Sequence, residues 1–337
     1  VSHTQVLFHH LPHVVASGLP ATDHSVDWFH QLPQNIVIGL QQGSLYALVA
    51  LGYTLVYGVL QLINFAHSEV FMSGAFGSWL VVNGIVGNRH LSGAAVPLTL
   101  LAGILSGAAV GAAVAWLLEK VAYKTLRRNG APKLAFLISA IGASLFLSNL
   151  AGKLFTRVQN NPFPTYFNVN HHVFSIGSAD VSLIVLIIIV TAVVMMVFLD
   201  RLVNKTKLGM GIRAVAEDAP TAALMGIDID KTISRTFVVG GALAGVAGFL
   251  FGTAFGVGNV MGFTPGVKAF AAAVLGGIGN IRGAMLGGLI LGQAEVLISA
   301  LPFVGAQWND VVSFVVLVLI LLARPTGILG ERLGRAA

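Results

Sequence analysis

Cysteine is missing from all 337 residues, and charge is scarce: 19 Lys and Arg with 13 Asp and Glu make up 9% of the chain. Without cysteine the protein has no disulfide, no thiolate metal site and no cysteine nucleophile. Without charge it has little surface for water, since a soluble domain carries about 25% charged residues. A Gly-x-x-x-x-Gly-Lys-Ser/Thr loop for ATP phosphates is absent too; Gly152-Lys153 lacks the upstream glycine and the following hydroxyl. So are the Gly-x-Ser-x-Gly and His-Glu-x-x-His patterns of hydrolases and the arginine ladder of a voltage sensor. What is present is apolar: 56% hydrophobic residues, 40 glycines and 20 phenylalanines, with a mean hydropathy of +0.85. This composition excludes a soluble enzyme, a disordered protein and, despite the net charge of +6, a nucleic-acid-binding domain. The chain reads as a polytopic membrane protein.

A spanning helix needs about 20 apolar residues, because the hydrocarbon is roughly 30 Å thick and each residue rises 1.5 Å. That ruler finds segments near 35–60, 69–87, 95–118, 134–151, 181–199, 236–258, 283–301 and 309–323. A ninth stretch, 266–280, is short for a crossing and reads as a short or broken helix. The fold class is therefore all-α, a membrane bundle of eight or nine helices.

Fourteen of the 19 Lys and Arg fall in 119–133, 200–235 and the stretch from Arg324 to the end, which the positive-inside rule assigns to the cytoplasm. The first 34 residues have no Lys or Arg and read as external. They hold six of the ten histidines, irregularly spaced, and are expected to form a disordered extension rather than a metal site. An external start and a cytoplasmic end require an odd number of crossings, so 266–280 is expected either to cross as the ninth or to re-enter without crossing beside a misjudged neighbour. Residues 35–330 then form one integral membrane domain with a loop at about 200–235, and 331–337 a cytoplasmic tail. Gly103, Gly107 and Gly111 recur every four residues, as do Gly248, Gly252 and Gly256, a spacing that lets a neighbouring helix approach.

Three polar segments carry the functional signal. In the 200–235 loop, Asp218 is a plausible N-cap, Pro220 suits the first helical turn and Gly226 suits the residue after the last. The two-turn helix between them would expose Leu224, either as a docking knob or as an ordinary loop helix on the membrane surface. In Ile63–Glu69, Asn64, His67 and Glu69 would be costly beside apolar helices unless paired or facing water. They could line a pathway, or Glu69 could simply complement a helix N-terminus. Phe263 and Lys268 lie in the third segment, with Glu295 one helix on; broken helices near mid-membrane are where transporters hold substrates. Asp310 reads as an N-cap of the last span.

These residues sit in long motifs that resemble the permease subunits of bacterial branched-chain amino acid ABC importers, of the LivH type. The likeness rests on GSLYALVALGYTLVYGVLQLINFAHSEVFMSGAF (43–76), RAVAEDAPTAALMGID (213–228), GFTPGVKAFAAAVLGGIGNIRGAMLGGLILGQAE (262–295) and DVVSFVVLVLILLARPTGILG (310–330). Ser68 departs from the family's usual glycine. The resemblance implies an ABC-importer permease fold, no enzyme activity and no cofactor or metal. It also implies a second homologous permease, two cytoplasmic ATP-binding subunits and an external, periplasmic or lipid-anchored, substrate-binding protein around a chain in the inner membrane. The segment through Arg213, Ala216, Glu217, Asp218, Pro220, Leu224 and Gly226 is similar to the loop that couples such permeases to their ATPases. Asn64, His67, Glu69, Phe263, Lys268 and Glu295 are then candidates for the translocation pathway. Leucine, isoleucine and valine are the expected cargo, with urea, short amides or other amino acids as alternatives. An ion-coupled secondary transporter is the competing class, though the chain offers few intramembrane charges for it.

Overall fold

A computed structural model describes residues 24–62, 64–87, 95–155, 163, 172–176, 178–301, 305–324 and 326–330. Of the expected extension, 1–23 lie outside the described residues, as does the tail 331–337; residues 24–34 begin the first helix. The elements in order are α1 (His24–Leu60), α2 (His67–Val86), α3 (Ala95–Leu118), a π-helical segment (Glu119–Tyr123), α4 (Lys124–Arg128) and α5 (Lys133–Leu154). A hairpin of β1 (His172–Ile176) and β2 (Ala179–Ser182) precedes α6 (Leu183–Lys205), α7 (Lys207–Glu217) and α8 (Ala219–Leu224). The chain closes with α9 (Ile229–Phe255), α10 (Phe263–Gly276), α11 (Ile281–Ser299) and α12 (Asn309–Ala323). Seven of these runs are long and apolar enough to cross a membrane, and α10 and α12 are shorter.

One end of the bundle is fixed by contacts. Gln61, after α1, donates to Ala216 O of α7 at 3.1 Å, and Arg282 at the start of α11 pairs with Asp200 near the end of α6 at 3.1 Å. The last residues return there, Ile328 and Leu329 donating to the carbonyls of Leu275 and Gly276 at the end of α10. Among the described residues the seven long apolar helices and the shorter α10 and α12 make nine candidate passes, within the expected eight or nine.

The centre is α1, whose Ala47, Leu48, Ala50 and Leu51 are fully buried. The glycines of α3 do pack a neighbour, but their counterparts on α9 are Gly241 and Gly245 rather than the triplet starting at Gly248. A Cβ on Gly245 would overlap the carbonyl oxygen of Gly107, and one on Gly111 would overlap that of Gly241. Gly248 instead lies on the backbone of Phe71 in α2, and Gly256 ends α9 with φ +90°.

The π-helical segment leaves no periodic mark in the sequence. Its Glu119 is fully buried and accepts from Ser234 of α9 and Arg127 Nη2, the latter at 3.2 Å. Tyr123 donates to Asn64 Oδ1 at 2.7 Å. Beside them Asp230 pairs with Lys124, Arg127 and Arg128, which anchors α4 to α9.

Candidate functional site

The loop that follows α6 holds two helices rather than one. Thr206 caps α7 by accepting from Gly209 N at 3.1 Å, and Arg213 reaches Asn204 Oδ1 at 3.1 Å. Asp218 caps α8, its carboxylate accepting from the amide and hydroxyl of Thr221, with Pro220 in the first turn and Gly226 at φ +82°, in the positions their spacing predicts. Ala222 turns inward, while Glu217 is exposed and Leu224 and Met225 stand 88% and 79% exposed at the tip. Two large apolar side chains are thus left uncovered at the tip of α8. Sequence reading missed Met225; the exposure of its neighbour was the available signal.

The two Thr221 hydrogen bonds hold the Asp218 carboxyl below its usual range. A depressed carboxylate contributes stability above its unfolded value and loses it as pH falls through the folded one. Protection of the α8 amides, the intrinsic exchange rate divided by the observed rate at each pH, is therefore expected to be high at neutral pH and to fall below the ordinary carboxylate range. Asp218→Ala should show the low protection at every pH, and unchanged protection in that variant would refute the capping role.

The polar residues of the other two segments divide into two clusters. The first lies on Lys268, whose Nζ is 2.7 Å from Glu295 Oε1 and 2.8 Å from Asp310 Oδ1. Glu295 Oε2 accepts from Ser313 at 2.9 Å and Tyr46 at 3.1 Å, and Gln42 donates to Tyr46 at 2.7 Å. Four helices, α1, α10, α11 and α12, are joined by this group. Asp310 is an ion-pair partner here and caps nothing: α12 begins at Asn309 without a side-chain cap.

The second cluster forms where α2 and α10 begin. A Cβ on Gly52 would overlap His67 Nε2 and stand 3.0 Å from Gly240 O, the twelfth of 27 residues in α9. Glu69 accepts from Ser144 at 3.2 Å, the twelfth of 22 in α5. Whereas Gln61 after α1 lies at the loop face, the first turn of α2 is therefore at mid-depth. α10 meets it from the other side. A Cβ on Gly262 would be 2.6 Å from Ser68 O and 3.0 Å from Glu69 Oε2, and one on Gly266 would overlap the Ser68 side chain. Residues 256–262 thus descend from the far face as irregular backbone, and α10 starts at the same depth as α2 and runs to the loop face. Phe263 is 66% exposed there, and Thr264 is exposed beside it.

A small enclosed space lined by Tyr53, Tyr57, Asn64, His67 and Phe270 holds about 10 Å³. That is room for about one water, so no cargo the size of an amino acid passes through it.

Comparison with known proteins matches residues 35–321 to the family described as the branched-chain amino acid transport system permease component. The chain is 42% identical over 302 residues to the LivH permease protein of Escherichia coli, covering 88% of this chain and 95% of that one. It is 44% identical over 307 residues to the BraD permease protein of Pseudomonas aeruginosa, covering 90% and 97%. Both are named as permease proteins of high-affinity branched-chain amino acid transport systems. A more distant relative, 27% identical over 297 residues with 86% and 78% covered, is the autoinducer 2 import permease LsrC of Escherichia coli.

Proposed function

The chain belongs to the branched-chain amino acid permease family, and from that premise we propose that it forms one half of a membrane pathway for leucine, isoleucine and valine. It is a multi-pass transport subunit of an ATP-binding cassette importer and not an enzyme; ATP is hydrolysed by partner subunits, and a substrate-binding protein delivers cargo. The finer assembly we propose is one homologous permease beside this chain, two ATPases on the face of the 200–235 loop and the binding protein on the other. In the membrane that loop faces the cytoplasm, as its basic residues require.

The tip of α8 carries the coupling part of the reading. Closure of the ATPases around ATP would move a groove that holds Leu224 and Met225. α8 leads through Asp228 into α9, whose Asp230 grips Lys124, Arg127 and Arg128, so a push on the tip reaches several spans. Replacing Leu224 and Met225 together by Asp puts two charges into that contact. Leucine uptake is expected to fall about tenfold or more, with loss of co-purifying ATPase, because buried apolar anchors dominate interface energies. Uptake and co-purification at natural levels would overturn the coupling assignment.

The LsrC relative favours one other reading of cargo, since the same architecture there serves an import system named for autoinducer 2. Uptake of leucine, isoleucine and valine measured against autoinducer 2, urea and other amino acids decides between them.

A further inference from the structure

Three glutamates are buried among the described residues; Glu119 is held at the loop end by Arg127 and Ser234, and the two that lie deeper are treated oppositely. Glu295, 1% exposed, has a lysine and two hydroxyls on its carboxylate. Glu69, 3% exposed, has the Ser144 hydroxyl on Oε1 and nothing on Oε2. None of the ion pairs among the described residues includes it. An anion in an apolar interior with one neutral donor is costly and marks a place where a cation is expected to join it.

Its surroundings supply the rest of a site. The free oxygen faces Gly262, the residue before α10, and Glu69 itself lies in the first turn of α2. Neither helix has a side-chain cap, so two positive helix ends converge on one carboxylate. They favour its charge without giving Oε2 a hydrogen bond. Phe263 and Thr264 open toward the outside of the bundle at this depth, and Ile141 and Leu145 flank Ser144 on α5, 45% and 62% exposed. Only small residues allow the junction, since a side chain on Gly262 or Gly266 would collide with Ser68.

We propose that this junction of two broken helices is a resting site for the zwitterionic head of the transported amino acid. The α-ammonium sits on Glu69 Oε2, the α-carboxylate takes the Thr264 amide, which has no backbone partner because Phe263 N and Gly266 N are bonded and Pro265 has none, and the branched side chain lies against Phe263 and the outer face of α5. The assignment deepens the transport reading above and rests on it. α5 covers Glu69 through two serine hydrogen bonds, Ser144 to Glu69 and Ser148 to Asn259 O at 2.8 Å, so a small shift of α5 uncovers the carboxylate.

Because the natural chain has no cysteine, a Thr264→Cys variant in the assembled importer, in lipid nanodiscs, gives one thiol on this chain to follow. Leucine is expected to slow its modification by a small polar thiol reagent. 4-Methylpentanoate, which is leucine without its ammonium, is expected not to. Adding Glu69→Gln should raise the half-protecting leucine concentration by about tenfold or more, the usual worth of a hydrogen bond to a charged group. Glu69→Asp, which keeps the charge, should retain more protection than Glu69→Gln. Equal protection by 4-methylpentanoate, full leucine protection with Glu69→Gln, or a thiol that never reacts would each overturn the assignment. The comparison of leucine with 4-methylpentanoate needs no change at Glu69, so it stands even where a Glu69 variant fails to assemble. Leucine uptake by the natural chain in the same complex separates the two readings. Uptake without protection overturns the resting site alone, while no uptake of any branched-chain amino acid overturns the transport function on which it rests.

Discussion

Lys268→Met is expected to lower the stability of the folded chain by about 3–5 kcal/mol, the usual consequence of removing one partner from a buried ion pair. The side chains of Lys268 and Glu295 are 6% and 2% exposed, so neither charge has water to fall back on. Glu295→Gln should cost much less, about 1–2 kcal/mol. Lys268 then keeps Asp310 at 2.8 Å, and the new amide can turn its oxygen to Lys268 and its nitrogen to the Tyr46 and Ser313 hydroxyl oxygens. The reverse change is harsher because, once Lys268 is gone, Glu295 has hydroxyls and no cation. The double variant should be more stable than Lys268→Met alone, since it removes the orphaned charge and leaves Asp310 half in solvent. Thermal unfolding in detergent, followed by loss of monodisperse protein, ranks the three. Glu295→Gln as damaging as Lys268→Met would show that the carboxylate does more than balance the lysine.

Gly245→Ala is the second large effect, for a steric reason. The new methyl would overlap the carbonyl oxygen of Gly107, and backbone on a packed helix cannot swing aside as a side-chain tip can. α3 and α9 must separate along their contact, where Gly111 meets Gly241 and Gly103 meets Phe249. The expected cost is about 1–3 kcal/mol or more, as for overpacked cores. Gly84→Ala is the matched control, because nothing lies within 4 Å of its new methyl. There the gain in helix propensity should leave stability unchanged or raised by up to about 1 kcal/mol. Unfolding midpoints of the two variants, measured side by side, test the contrast. Equal midpoints would mean that α3 and α9 do not pack as described.

Several of these features are legible from local chemistry. α8 is one, because a cap, a first-turn proline and a glycine with φ > 0 all act within nine residues of Asp218. The glycines of α3 are another, since their spacing alone puts them on one helix face. Their partners on α9 are not, because α9 carries glycines at 240, 241, 245, 248 and 252, and spacing cannot say which face meets α3 and which meets α2. The π-helical segment is invisible for a similar reason: Glu119–Tyr123 has ordinary helix-forming residues, and the partners that hold it, Ser234 and Asn64, lie far off in the chain. Asp310 misleads because an acid in a first helical turn is common, and only the fold brings Lys268 to it.

The sequence by itself determined that this chain lies in a membrane and where its eight or nine apolar segments fall. It marked the loop that carries charge and the residues that end the α8 helix, because hydropathy, charge and capping act between a residue and solvent or its near neighbours. Tertiary structure alone decided which of two intramembrane glutamates is saturated and which has an oxygen to spare. The letter Glu is the same at both positions. What differs is the supply of donors, and those come from distant segments: Tyr46 lies 249 positions from Glu295, and Ser144 lies 75 from Glu69. Chain separation of that length is closed only by packing, so the difference between a structural carboxylate and one with a free oxygen exists only in the folded protein.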